Sequence, residues 1–143
     1  MKRRGSLLRL KRFRVDELKR RLATLDEMKA DLEKKLSDLE DSVVRERQRA
    51  HDSDIGRLAF PSFLQSIDAR RKNIRTTMAD LERERAAQQD DLSAAFQDLK
   101  SFELAEEERL RRAAEVEARA QQLRLDEMAM VRHLRKHGAR QAG

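Results

Sequence analysis

His133 and His137 stand four residues apart. On a helix that spacing puts two imidazoles on one face, within reach of a single metal ion. A zinc centre needs three or four ligands. The residues between them are Leu134, Arg135 and Lys136, and the last carboxylate upstream is Glu127. Two imidazoles in basic surroundings do not complete a site, so no metal is expected. Glu106, Glu107 and Glu108 form a run of carboxylates. Acid–base chemistry would need a pocket to shift one pKa away from the others. The chain has no Cys, no glycine-rich phosphate loop and few residues for a cavity wall. The run reads as a solvated or ion-paired face. Neither a catalytic residue nor a cofactor nor a small-molecule substrate is expected, and the chain does not read as an enzyme.

The third candidate chemistry is phosphate binding. Arg3, Arg4, Arg9, Lys11, Arg12 and Arg14 make a basic end. Residues 1–22 carry ten Lys/Arg against Asp16 and Glu17, a net +8, and residues 132–143 carry +4. The whole chain is +6, so the middle is −6. Such an end can neutralise nucleic-acid phosphates. In a basic zipper, however, the basic segment precedes a parallel dimer. Here a partner segment exists inside the same chain, and no aromatic interleaving provides a base-stacking platform. Nucleic acid is not the expected partner. Leu7, Leu8, Leu10 and Phe13 intersperse the bases, which leaves peripheral association with an acidic membrane surface open.

What positions these residues is helix. Of 143 residues, 42% are charged and 38% hydrophobic, with five Phe and no Trp or Tyr. Mean hydropathy is −0.89. That composition with helical periodicity marks a coiled coil rather than a globular core. No apolar run reaches the ~20 residues needed to span a bilayer. Gly and Pro, the costliest residues inside a helix, fall only at Gly5, Gly56, Pro61, Gly138 and Gly143. They predict one coiled-coil domain over 1–143, with helices over about 6–52 and 61–137 and a bend over 53–60. Pro61 suits a first helical turn, and Ser62 with Gln65 can form a capping box.

Leu18, Leu22, Leu25, Met28, Leu32, Leu36, Leu39 and Val43 trace one apolar stripe in the first window. Phe63, Ile67, Ile74, Met78, Leu81, Leu92, Phe96, Leu99, Phe102 and Leu110 trace the second, weakened at Arg85 and Gln88. Folding the chain antiparallel pairs the stripes where residue numbers total about 113–118. Leu18 then faces Phe96, Leu22 faces Leu92 and Leu39 faces Ile74. The expected architecture is all-α: a long two-helix antiparallel hairpin with an overhanging C-terminal helix. The overhang, from Leu110 onward, carries Val116, Leu123, Met128, Val131 and Leu134. Its apolar face predicts a contact with another protein or, as the alternative, self-association of a structural coiled coil.

The pattern resembles the FliJ family of flagellar export proteins and its injectisome relatives. The likeness rests on length, the basic start, the segment Phe60-Pro61-Ser62-Phe63-Leu64-Gln65-Ser66-Ile67 after the break, and Leu125-Asp126-Glu127-Met128-Ala129 through Arg132 in the late helix. The resemblance implies a cytoplasmic stalk-like component of the export apparatus, peripheral to the inner membrane. Its implied partners are a hexameric export ATPase, a membrane export gate protein and export chaperones. On this sequence, Leu123, Asp126, Glu127, Met128, Val131 and Arg132 would meet the ATPase ring. Phe63, Ile67 and Ile74 would meet the gate.

Overall fold

The structure, a computed structural model, describes residues 2–142 and the side chains of residues 3–138. It contains two helices, α1 (Lys2–Asp52) and α2 (Asp54–Ala142), and no strand among the described residues. Their contacts fall into two units, Met1–Asp98 and Leu99–Gly143. The first unit is the two-helix hairpin expected from the two stripes.

The bend is much shorter than the expected 53–60. Ser53 alone leaves the helical conformation. Its N–H still donates to the Arg49 carbonyl at 3.0 Å. Its Oγ accepts from the Gly56 N–H at 3.0 Å. A serine oxygen taking the third backbone donor of a new helix is an N-cap. The cap therefore sits at Ser53, and the Ser62–Gln65 box is not needed. Gly56 explains how the turn can be so tight. A Cβ there would lie 2.5 Å from the Arg49 carbonyl oxygen, so the first turn of α2 crosses the last turn of α1 at a distance only glycine permits. Pro61 consequently lies inside α2. Its missing N–H leaves the Arg57 carbonyl without its usual intrahelical donor. Both helices also run past the glycines expected to bound them. Gly5 and Gly138 sit in helix with nothing within 4 Å of an added Cβ. An exposed glycine costs only ~1 kcal/mol in a helix, too little to end one.

The register follows from four ion pairs across the hairpin: Lys11–Asp98, Lys29–Glu82, Arg71–Glu40 and Arg85–Asp26. Their residue numbers total 109 for the first and 111 for the others. The expected total of 113–118 was too high because it assumed the longer bend. At 110, midway between the observed totals, the seam becomes a strict repeat of threes and fours. It runs Val15, Leu18, Leu22, Leu25, Lys29, Leu32, Leu36, Leu39, Val43 on α1. On α2 it runs Ile67, Arg71, Ile74, Met78, Leu81, Arg85, Gln88, Leu92, Ala95. In that register Leu18 lies opposite Leu92, not Phe96, and Leu36 opposite Ile74.

Burial agrees. Val15, Leu18, Leu22, Leu25, Val43, Ile67 and Leu81 are buried, and Leu18 is fully so at 0% exposure. Met28, part of the apolar stripe in the sequence, is 47% exposed. The seven-residue repeat assigns Lys29 instead, itself 46% exposed and 3.9 Å from Glu82. Phe96 is likewise exposed, and Ala95 holds the seam position. Each fully buried aliphatic side chain contributes about 1.5–3 kcal/mol. An exposed ion pair contributes ~0.2–1 kcal/mol. The apolar layers hold the hairpin together; the ion pairs select its register.

Candidate functional site

Three sets of residues stood out in the sequence, and the structure treats them differently. The basic end belongs to α1. Lys11 is half-buried against Asp98, at the seam position preceding Val15. Arg14 pairs with Glu17 at 3.6 Å. Arg3 lines a shallow apolar groove with Ser6, Leu7 and Leu10. Arg3, Arg9, Arg12 and Arg14 are exposed, as is Arg4. Lys11 is thus part of the hairpin's own packing.

The residues near the bend separate. Ile67 is 1% exposed and sits on the seam. It has no surface for a partner while the hairpin is closed. Phe63 is half-buried and stacks on Phe60 with ring centroids 6.5 Å apart. Ile74 is half-buried beside a groove shared with Lys35, Asp38, Leu39, Ser42, Arg70 and Asn73. Arg71 closes that stretch of the seam. Its Nε and one terminal nitrogen donate to both Glu40 oxygens, at 2.7 and 2.8 Å, and the other reaches Asp68 at 2.9 Å. The Glu40 bonds, then those of Asp68, raise the Arg71 pKa further above its ordinary value.

The second unit looks different. From 110 to 138 every described side chain is exposed except that of Ala120. The threes-and-fours spacing nevertheless continues there, through Ala113, Val116, Ala120, Leu123, Glu127, Met130, Leu134 and His137. Val116, Leu123, Met130 and Leu134 are each 63–66% exposed. Of the late residues singled out in the sequence, Glu127, Met128, Val131 and Arg132 line one groove together with Arg124 and Arg135. Leu123 and Asp126 lie outside that groove. Asp126 accepts from the Gln122 amide at 3.0 Å. Met130 was missed. It also holds a position of the seven-residue repeat.

Charge along this unit is locally answered. Glu108 accepts from Arg111 and Arg112, which holds its carboxyl below the usual range. Arg124 reaches Glu117 at 3.2 Å. Elsewhere, on α1, Arg21 donates to Glu17, four residues earlier, at 2.6 Å. Arg111 pairs with Glu108 and Glu115. The His133 and His137 rings meet edge to face, centroids 4.1 Å apart. No cluster of three metal-ligating groups occurs among the described residues.

The second unit presents a charged surface with an uncovered apolar repeat. Among the described residues no helix is long and apolar enough to cross a membrane. No curated protein and no solved structure matches the chain closely enough to add to this. The family model for the flagellar FliJ protein, in contrast, matches residues 1–138, and the chain therefore belongs to the FliJ family, a non-enzymatic component of the flagellar protein-export apparatus.

Proposed function

We propose that the chain is a stalk-like adaptor of the export apparatus that binds the hexameric export ATPase and promotes its assembly or activity. The observation that carries this reading is the exposed apolar repeat of the second unit. A helix of that length gains little stability in water until such a face is covered. Leu123, Glu127, Met128, Val131 and Arg132, with Asp126 on the neighbouring face, supply the ring contact. The surrounding arginines speed the encounter with an acidic surface, while the apolar positions set residence time. Phe63, with its stacked neighbour Phe60 and the groove beside Ile74, is the surface proposed for the membrane gate. Export chaperones are further proposed partners, and the site of action is the cytoplasmic side of the inner membrane.

The test is ATP hydrolysis by the export ATPase with the full chain or with a chain lacking residues 120–143. Stimulation by the full chain only, with helical circular dichroism per residue retained in the truncated one, supports the proposal. Equal stimulation by both removes the late helix from the mechanism.

A further inference from the structure

Three charged positions of the hairpin seam, all first positions of the repeat, share a pattern. Lys29, Arg71 and Arg85 each occupy the first apolar position of a seven-residue repeat. Each meets an opposite charge, Glu82, Glu40 or Asp26, placed just after the residue it faces. Glu82 follows Leu81, Glu40 follows Leu39 and Asp26 follows Leu25. At these three first positions the facing helix answers the charge one residue along.

The second unit has one charged residue of the same kind between Ala113 and Leu134. Glu127 occupies the first apolar position of its repeat, and its groove-mates include Arg124. We propose that residues 113–137 pair antiparallel with the same residues of a second copy of this chain. Antiparallel seams align first positions with fourth positions, so the residue totals available are 243, 250 and 257. At 243 the residue answering Glu127 is Glu117, of like charge. At 257 it is Val131. At 250 it is Arg124, which follows Leu123 as Asp26 follows Leu25. Only that register repeats the pattern of the hairpin.

The same register fits by size. It sets Val116 against Leu134, and small Ala120 against large Met130. It sets Leu123 against Glu127, flanked by Arg124 of its own helix. Two-fold symmetry repeats each layer, giving an overlap of about 36 Å. A parallel pair would stack Glu127 on Glu127 and Ala120 on Ala120, combining like charges with a void. The charge pattern thus selects antiparallel over parallel as well as one register over two others.

Sedimentation of the full chain tests this, using charge exchange. The expected result is a reversible dimer. Glu127→Arg and Arg124→Glu each weaken it by about tenfold or more, through two symmetry-related like-charge contacts. The double variant carrying both changes restores it. Circular dichroism checks that each variant keeps its helix content. Because the chain has no Cys, cross-linking reads the register directly. A mixture of Leu123→Cys and Glu127→Cys chains should form the mixed disulfide in preference to either self-disulfide. A chain that stays monomeric at hundreds of micromolar overturns the proposal. So does a dimer indifferent to the single exchanges, or one that preferentially joins position 123 to 123. None of these readouts involves the ATPase, so the proposal can fail while the adaptor role stands, and the reverse.

Discussion

Across the hairpin, the Arg85 guanidinium donates through Nε to Asp26 Oδ1 at 2.7 Å. One layer along, Gln88 has no such answer: its Oε1 is buried without a hydrogen-bond partner. The two residues interrupt the same apolar stripe, but only one interruption is compensated. A buried acceptor without a donor costs about 1–3 kcal/mol. Replacing it with an apolar side chain of similar size removes that cost. Gln88→Leu, which faces Leu22 in this register, should therefore stabilise the hairpin by about 1–2 kcal/mol in chemical denaturation. Arg85→Leu should gain less, because it also gives up the Asp26 pair. An equal or larger gain for Arg85→Leu would contradict this account of the seam.

Gly56 and Gly5 make a matched test of the bend. Both are helical, and both should favour alanine by up to ~1 kcal/mol on propensity alone. At Gly5 an added Cβ meets nothing, whereas at Gly56 it meets the Arg49 carbonyl. Gly5→Ala should be neutral or slightly stabilising. Gly56→Ala should destabilise by about 1–3 kcal/mol, since backbone rather than a flexible side chain must yield. Thermal melts of the two variants side by side should differ in sign or by several degrees.

Glu108 makes the acid response of the second unit local. The Arg111 bonds, then those of Arg112, lower its pKa in the helix. A depressed carboxyl stabilises the folded form above its unfolded pKa. That contribution is lost as pH falls through the lower, folded value. Carboxyl-carbon NMR titration should place Glu108 below the ordinary glutamate value of about 4.3. In Glu108→Gln the acid-induced loosening of the helix near 108–112 should disappear. A Glu108 midpoint at or above the ordinary value would remove this ion-pair cluster.

Hydrogen exchange should divide the chain by burial rather than by helicity. Amides around Leu18–Leu25 and Ile67–Leu81 lie under buried side chains and should exchange only through large openings. Amides over 113–137 are equally helical but carry exposed side chains. In dilute solution they should exchange orders of magnitude faster. Raising protein concentration should slow them selectively if a second copy covers that face.

The architecture was legible because the apolar stripe is long and the helix breakers are few. Two errors had physical causes. Gly56 and Pro61 read as a loop, because neither residue shows in sequence that a lone serine cap can start a helix at Asp54. Pairing was then set a few residues too far along, and Met28 and Phe96 were placed in a seam that Lys29 and Ala95 occupy. Hydrophobicity favoured the larger side chains; the seven-residue repeat chose position over polarity. At the proposed contacts, the late apolar face was visible as an unmatched stripe. The burial of Ile67 was not, since a core isoleucine and a docking isoleucine look alike until the register is fixed.

The single-residue turn at Ser53 bears on how the chain assembles. Each cross-helix pair encloses a longer stretch of polypeptide than the one nearer the corner: 31 residues apart for Glu40 and Arg71, 59 for Asp26 and Arg85, 87 for Lys11 and Asp98. Closing a loop of 87 from the open chain costs only ~1 kcal/mol more than closing one of 31. Once an inner layer has formed, however, the next adds only a few residues to the closed stretch. Assembly should therefore proceed like a zip drawn from the Ser53 corner toward the chain's beginning. The pair Lys11–Asp98 would be the last to fasten and the first to part.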